Sequence, residues 1–364
     1  MKSRMIAAAL LAFCLHITLA HSQDLPAPTE GDYVTHNFHF RAGEVLPELK
    51  LHYRTYGKPT RDSRGRVANA VIITHGTTGS GRQFIGKNFA GVLFGPGQLL
   101  DANRYYIILP DAIGHGASSK PSDGLHANFP HYDYDDMVEA QHLLLTEGLK
   151  VDHLRLVMGT SMGCMHTWVW VEAYPDFMDA AMPLACQPVE IAGRNRVLRK
   201  VIIDALRSDP GYMNGEYKPQ PAALRSVLGI MLLMVAGPQQ FQRDNPTRKQ
   251  ADDALEHYVD SSMASADAND FIYAFEASRN YNPSPKLDQI TTPVMFVNSA
   301  DDPINPPELG IAEEEIKKVK KGRFVLIPAS KQTRGHGTHS LPIVWKQYLD
   351  ELLNESERPA GATQ

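Results

Sequence analysis

The chain has 364 residues, of which 43% are hydrophobic and 21% charged, and its formal net charge is -5. This is the composition of a globular protein long enough to bury a large core. The lack of a basic surplus, of a Lys/Arg run and of a DNA-binding motif argues against nucleic acid as a partner. The 15 His residues show no HExxH pair or other ligand spacing, so we expect no metal site.

The N-terminus has the pattern of a secretory signal. Lys2 and Arg4 precede an apolar run, and residues 18–20 supply small side chains for cleavage. We therefore predict a signal peptide over residues 1–20, a mature chain that begins near His21, and a secreted or periplasmic location. No later apolar run reaches the ~20 residues of a spanning helix, so we expect no membrane association after cleavage. An uncleaved N-terminal anchor is the alternative.

Apolar runs predict strands along most of the remaining chain. They cover residues 34–40, 49–56, 70–74, 105–109, 154–158, 180–184, 293–298 and 323–328. Helical patterns over residues 134–147, 162–174 and 343–353 alternate with them. Continuously apolar strands that alternate with helices predict an α/β fold with a mostly parallel central sheet and helices on both faces.

Between residues 194 and 281 the strand pattern stops. Helical patterns such as 197–206 and the very apolar 223–235 replace it. The segment interrupts the core strands at their carboxyl ends, where ligands bind in such sheets. We therefore predict a helical lid over residues 194–281, inserted between core segments 21–193 and 282–364. A set of ordinary packing helices is the alternative.

The central motif is Gly159-Thr160-Ser161-Met162-Gly163, which matches G-x-S-x-G. It lies between a predicted buried strand and a predicted helix, which is the context that this nucleophile motif requires in the α/β-hydrolase fold. Glycine at the flanking positions lets the strand and the helix approach closely. The start of the helix favours negative charge beside the hydroxyl. Ser161 is therefore the predicted nucleophile.

A serine nucleophile needs a base and a carboxylate that orients the base. In this fold the chain order is Ser, acid, His. His336 follows the last predicted strand between two glycines, and we prefer it to His339. The preceding strand leads into Asp301 and Asp302, of which we prefer Asp302 because Asp301 fits a turn residue whose carboxylate bonds local backbone.

The oxyanion of the tetrahedral intermediate needs N–H donors. We assign one to the amide of Met162, directly after the nucleophile, and the other to the amide of Thr77 in the Gly-rich segment 75–81. This segment lacks a GK[ST] ending, and the Gly-rich segment 111–116 does not complete G-x-G-x-x-G. We therefore expect no bound nucleotide and no cofactor, and a structural role for His115.

Cysteine use leaves one question open. Cys14 would leave with the signal peptide, whereas Cys164 and Cys186 would remain in the mature chain. An exported protein could pair them. Because connectivity cannot be deduced from sequence, and a fold of this size needs no such link, we expect two small buried thiols.

Several segments resemble motifs of the homoserine O-acetyltransferases. They are Gly95-Pro96-Gly97 with Asp101, Arg104 and Tyr105; Phe129-Pro130 with Asp136, Met137, Val138, Gln141 and Leu144; Ser161-Met162-Gly163-Cys164-Met165; Asp209-Pro210 with Gly215-Glu216-Tyr217; and Asp302 with Pro306-Pro307 and Gly335-His336. The resemblance covers about residues 38–353. It implies the α/β-hydrolase fold, a triad of Ser161, Asp302 and His336, a small-molecule acyl substrate and a homodimer formed through the lid helices.

The chain also departs from that family's pattern. Gly337 replaces an Asp that helps to hold the substrate amine, Cys164 replaces a Gly, and residues 76–80 replace an A-L-T-G-S loop. An exported enzyme would also lack acetyl-CoA, a cytosolic donor. We therefore predict an exported serine hydrolase that cleaves a carboxylic ester through an acyl-enzyme, with an O-acyltransferase of the homoserine O-acetyltransferase type as the alternative. A non-catalytic binding protein is disfavoured because the triad is complete.

Overall fold

This computed structural model describes Leu25 and residues 27–357. The predicted signal peptide and Cys14 lie outside the described residues. The strands are β1 (Thr29–His39), β2 (Val45–Tyr56), β3 (Ala70–Thr74), β4 (Tyr106–Pro110), β5 (Leu156–Thr160), β6 (Ala181–Leu184), β7 (Val294–Ser299) and β8 (Gly322–Ile327). They form one eight-stranded sheet in the order β1-β2-β4-β3-β5-β6-β7-β8.

The sheet is mostly parallel, as predicted. β1 pairs antiparallel with β2, and β2 with β4. All other neighbours are parallel. Every residue of β3 through β7 is buried, because helices cover both faces and leave no side of these strands to solvent. This explains why their sequences are continuous apolar runs.

The described part of the chain forms the following α-helices. They are α1 (Ala90–Leu93), α2 (Tyr134–Leu143), α3 (Met162–Ala173), α4 (Gly193–Ser208), α5 (Ala223–Val235), α6 (Pro238–Asp244), α7 (Arg248–Met263), α8 (Ala268–Glu276), α9 (Ile311–Glu315) and α10 (Pro342–Glu355). One face of the sheet packs against α2 and α3, with Trp168 at its centre. The other packs against α1 and α10, with Trp345 and Leu349. Helices on both faces are therefore confirmed.

Several predicted elements differ at their ends, and β1 and β2 begin five and four residues earlier than expected. The strand expected at residues 154–158 begins two residues later, at Leu156, because Leu154 pairs separately with Met178 as an isolated bridge. The helix expected over 134–147 is α-helical only to Leu143 and then widens into a π turn over Leu144–Gly148. The apolar pattern continues through that turn, so it could not reveal the change of helix type.

Helices α4 to α8 form the helical insertion between β6 and β7. It has its own apolar cluster, which includes Ile202, Leu206 and Leu224. Side-chain hydrogen bonds attach it to the core: Ser122 donates its hydroxyl to Asp270 Oδ2 at 2.7 Å, and Tyr273 donates to Phe129 O at 2.6 Å. Whether the insertion closes over the site as a lid stays a prediction.

The expectation of two free buried thiols is wrong. Cys164 and Cys186 form a disulfide, with 5.8 Å between their Cα atoms. Cys164 lies in the first turn of α3, directly after β5, and Cys186 lies two residues after β6. Since β5 and β6 are parallel neighbours, their carboxyl ends meet at the same edge of the sheet, and the two cysteines come together there.

Within the described range, no single helix is long and apolar enough to cross a membrane. The same residues contain no group of three or more His, Cys, Asp or Glu side chains arranged to hold a metal ion.

Candidate active site

Ser161 lies at the sharp turn between β5 and α3. Its backbone has φ 57° and ψ -112°, a conformation that side-chain-bearing L residues rarely adopt. Its N–H donates to Leu184 O on the neighbouring strand at 2.9 Å, which fixes the turn to the sheet edge. The side chain is half-buried and faces a large cavity.

The flanking glycines are required by close packing. A Cβ on Gly159 would lie 2.2 Å from Gly163 O and 2.2 Å from Thr74 Oγ1, and a Cβ on Gly163 would lie 2.0 Å from Thr74 O. No side chain fits at these distances, because the nearby atoms belong mostly to the backbone. The pattern G-x-S-x-G therefore follows from the approach of α3 to β3 and β5.

His336 lies between Ser161 and Asp302 and contacts both. Its Nε2 lies 2.8 Å from Ser161 Oγ, and its Nδ1 lies 2.8 Å from Asp302 Oδ2. Because a carboxylate oxygen accepts, Nδ1 carries the proton and Nε2 is free to accept the serine proton. The ring is 3% exposed. The His336 backbone N–H donates to Val235 O at the end of α5, so the helical insertion also holds this loop.

Asp302 is held as a carboxylate. Burial acts to raise its pKa, but the adjacent His336 and hydrogen bonds from His336, Asn305 and the Ile304 N–H outweigh burial, and the pKa lies below its usual value. Its Oδ1 accepts from Ile304 N at 2.8 Å, and its Oδ2 accepts from Asn305 Nδ2 at 2.9 Å. These bonds fix the carboxylate so that one oxygen faces the imidazole.

The two competing residues occupy supporting positions. Asp301 accepts from the Gly335 N–H at 3.0 Å and from the Ser299 hydroxyl, so it holds the loop that carries His336. His339 stacks edge-on against His336 with 5.0 Å between ring centroids, and its Nδ1 lies 2.9 Å from Ser340 Oγ. Burial, together with the neighbouring His336 ring, lowers the pKa of His339 to about 3.

The predicted oxyanion donors flank the nucleophile. Met162 is the first residue of α3, and the first N–H groups of a helix have no acceptor within the helix. Thr77 lines the cavity beside Ser161. Its N–H has no acceptor among the described residues. A Cβ added to the preceding Gly76 would lie 3.4 Å from Ser161 Cβ, so this segment passes directly against the nucleophile.

His115 supports the same loop. Its Nε2 lies 2.5 Å from Thr77 O, and its Nδ1 lies 2.9 Å from Ile113 O. Burial lowers its pKa, with the two carbonyls acting in the opposite direction. A neutral imidazole carries a single N–H, so the ring donates to only one of these two carbonyls, and it lies against the loop that carries Thr77.

The cavity at Ser161 has a volume of about 660 Å³. Its wall is mainly apolar and includes Met165, Met231, Met234, Phe275 and Ile304. The disulfide contributes through Cys186. Such a pocket is large enough for a small organic substrate and orients it with few polar groups.

Sequence reasoning missed two polar residues that face this cavity. Gln83 donates to Thr160 Oγ1 at 3.0 Å and to Ser340 Oγ at 3.3 Å, and accepts from Gly76 N at 3.4 Å. It thus joins the oxyanion segment, the nucleophile strand and the loop of the base. Arg199 of α4 is buried and also lines the cavity. Only the tertiary structure brings either residue to the site, and neither lies in a recognisable motif.

Comparisons with known proteins agree with the fold described above. The family model described as alpha/beta hydrolase fold matches residues 69–331. The chain is 31% identical over 355 residues to a homoserine O-acetyltransferase of Pelobacter propionicus, covering 85% of this chain and 92% of that protein.

Solved structures share the fold at low sequence identity. The homoserine O-acetyltransferase of Bacillus anthracis superposes with a TM-score of 0.79 at 18% identity, covering 93% of this chain and all of that chain (100%). Esterase E22 superposes with a TM-score of 0.77 at 19% identity, covering 91% of this chain and 100% of that chain.

Proposed function

Because this chain belongs to the homoserine O-acetyltransferase branch of the α/β-hydrolase superfamily, we propose that it transfers an acyl group through a covalent acyl-enzyme on Ser161. The observation that carries this proposal is the continuous hydrogen-bonded series from Ser161 Oγ through the His336 ring to Asp302, with both links at 2.8 Å. A neutral serine requires such a base to become an effective nucleophile.

In the first half-reaction, Ser161 Oγ attacks the acyl carbon while His336 Nε2 takes its proton. The oxyanion that forms is bound by the amides of Met162 and Thr77. The intermediate collapses, the bond to the leaving alcohol breaks, and His336 returns the proton to that alcohol. Asp302 remains ionised throughout and stabilises the imidazolium.

In the second half-reaction we propose water as the acceptor, so that the chain is a serine hydrolase of a carboxylic ester. His336 deprotonates water, which attacks the acyl carbon and releases the acid and Ser161. The apolar cavity supports this assignment. The only carboxylate that lines it in the described range is the exposed Glu190, so no buried carboxylate is placed to hold the ammonium group of an amino alcohol.

Transfer to homoserine or another alcohol is the second candidate. The names of the sequence relatives favour it over hydrolysis, since the match to the Pelobacter propionicus homoserine O-acetyltransferase extends over 92% of that protein. Both candidates share the acyl-enzyme and differ in which molecule enters second.

We further propose that the enzyme is exported and acts in the periplasm or outside the cell. The charged and apolar residues 1–20 support this proposal. The Cys164–Cys186 disulfide supports it as well, because disulfides persist mainly in oxidising compartments. Exclusion of water by the proposed lid over residues 194–281 would instead favour transfer to an alcohol, so lid closure bears on the choice between the two acceptors.

The test is product analysis by mass spectrometry with the mature protein, p-nitrophenyl acetate and excess homoserine. Ser161→Ala is the control for background reaction. Free acetate as the sole acyl product supports the hydrolase. O-Acetylhomoserine as the main product would replace it with the acyltransferase. Turnover that Ser161→Ala retains in full would overturn the shared acyl-enzyme.

A further inference from the structure

Arg199 is a cation buried beside the candidate active site. It belongs to α4, is 4% exposed, and lines the same cavity as Ser161 and His336. The triad chemistry does not use it. A charged side chain buried to this extent is ordinarily paired with an opposite charge.

Among the residues that the structure describes, Arg199 has no such partner. Arg199 Nε donates to Asn195 Oδ1 at 3.0 Å, Nη1 donates to Ser278 Oγ at 3.1 Å, and the guanidinium carbon lies 5.4 Å from the centre of the Phe275 ring. All three contacts are neutral. Burial raises the pKa of nearby Tyr134, with the Arg199 charge acting against it, so that hydroxyl is not an anion either.

Arg54 is a buried arginine of the same chain whose charge is paired with carboxylates. It is also 4% exposed, and it pairs with Asp111 and Glu30, each at 2.9 Å. No Asp or Glu in the described range lies within ion-pair distance of Arg199. An unpaired buried charge is strongly unfavourable, so a position of this kind points to an anion that arrives from outside.

Resting on the proposed acyl transfer at Ser161, we propose that Arg199 binds a carboxylate carried by the substrate. The Tyr134 hydroxyl is close enough to interact with the guanidinium, but among the described residues Nη2 has no acceptor within hydrogen-bond distance and Nη1 donates only to Ser278. This leaves the planar donors that match a carboxylate in bidentate geometry. Met231, Met234 and Phe275 line the cavity with it, and low polarity strengthens such a pair.

The substrate class is therefore an ester whose apolar body also carries a carboxylate. The carboxylate can belong to the alcohol part, as in an acylated hydroxy acid, or to the acyl part, as in a hemiester of a dicarboxylic acid. Two substrate pairs separate these sources: 4-acetoxybenzoate against its methyl ester, and mono-p-nitrophenyl glutarate against p-nitrophenyl pentanoate.

The measured quantity is the ratio of kcat/KM for the anionic ester to kcat/KM for its neutral partner. Arg199→Met should lower this ratio by about 10- to 100-fold in the pair that matches the natural carboxylate, the range for a hydrogen-bonded ion pair. Arg196→Met removes the same charge from an exposed position of the same helix and should leave the ratio near that of the wild type.

If the enzyme turns over none of these esters, carboxylate binding to Arg199 is measured directly. In the Ser161→Ala background, 4-hydroxybenzoate or glutarate should raise Tm, and adding Arg199→Met should remove that rise. If Arg199→Met fails to fold, Arg199→Lys is compared in the same way, since an ammonium keeps the charge but loses the bidentate geometry.

The proposal is overturned if Arg199→Met lowers turnover of both esters in each pair equally and neither carboxylate raises Tm. That result would assign Arg199 a structural role and leave the acyl-enzyme at Ser161 intact. If the proposed acyl-enzyme at Ser161 is instead disproved, the Tm shift with carboxylates still tests carboxylate binding by Arg199 independently.

Discussion

The backbone of Ser161 is strained, since φ is 57° at a residue that carries a Cβ. Ser161→Gly should relieve this strain, whereas Ser161→Ala keeps the Cβ and therefore the strain. Both variants should lose ester turnover. We expect the free energy of unfolding, measured with urea, to be about 1 kcal/mol higher for Ser161→Gly than for Ser161→Ala. Equal stability, or a less stable glycine variant, would show that the turn is unstrained.

The two neighbouring aspartates should differ sharply in their contribution to turnover. Asp302 orients the His336 ring, so Asp302→Asn should lower kcat by about 10⁴-fold through the wrong tautomer. Asp301 accepts the Gly335 N–H, and the amide oxygen of Asp301→Asn can still accept it, so this matched variant should keep most activity. Steady-state kinetics on p-nitrophenyl acetate measures both. The opposite order would move the acid role to Asp301.

Arg199 could not be recognised as a site residue from the sequence alone. Its sequence context resembles any basic helix of the insertion. Only the folded chain reveals that it is buried and that no described carboxylate pairs with it. Ser161, His336 and Asp302 could be predicted because strand ends and glycines mark them locally. Thr77 and Met162 lie where the prediction placed them, and their role as oxyanion donors stays a prediction.

At the scale of elements, the buried strands were predictable because their sequences are continuously apolar. β3 was located without error, and β7 and β8 to within one residue. The short helices α1 and α9 were missed, since four or five residues carry too little periodicity to be seen. The π turn after α2 leaves no distinct pattern in the sequence.

The disulfide could have been anticipated from sheet order. Both cysteines closely follow strands that are neighbours in the sheet, β5 and β6. The sequence gives the position of each cysteine after its strand, but not that the two strands are adjacent. Knowledge of the fold family's strand order would have supplied the missing step.

Loss of the disulfide should destabilise the protein. Cys164 and Cys186 are separated by 22 residues, and closing a loop of that length stabilises a fold by about 3 kcal/mol. Cys164→Ser should therefore lower the free energy of urea unfolding by about that amount, and reductant should bring the wild type towards the variant. If the native mature protein instead reacts as two free thiols with a thiol reagent, the disulfide assignment is wrong.

For the whole molecule, buried neutral histidines should lower the free energy of unfolding as the pH becomes acidic. Burial, with a contribution from the neighbouring His115 ring, lowers the pKa of His75 to about 4. The pKa of His339 is lowered to about 3. In the unfolded chain these rings titrate near the usual value of about 6.5. The unfolded state therefore binds more protons below that pH, and stability falls as the pH drops from about 6.5 towards 4.

Each ring should contribute a slope of roughly 1.4 kcal/mol per pH unit in that window. Urea unfolding at several pH values between about 4.5 and 6.5 measures how the free energy of unfolding changes with pH. The measurement is made on the wild type and on His339→Gln. The variant should show a shallower slope. A wild-type stability that does not change across this window would contradict the neutral buried state of both rings.

The dimer expected through the helical insertion stays a prediction at this scale. Several large apolar side chains of the insertion are exposed in the single chain: Val197 (59%), Val201 (45%), Leu233 (70%) and Leu255 (42%). A contiguous apolar patch is typical of an interaction surface, and Val197 and Val201 lie one turn apart on the same face of α4. Sedimentation analysis should give a dimer for the wild type and a monomer for Leu233→Lys. A monomeric wild type would contradict the expectation.

The most direct test of the account is to locate the acyl group itself. The mature protein is mixed with p-nitrophenyl acetate, quenched in acid during the first turnover, digested and sequenced by mass spectrometry. If the acyl-enzyme forms on Ser161, acetate is found on Ser161 of the wild type and on no residue of Ser161→Ala. An acetyl group found on another residue, or release of acetate with no covalent intermediate at Ser161, would contradict it.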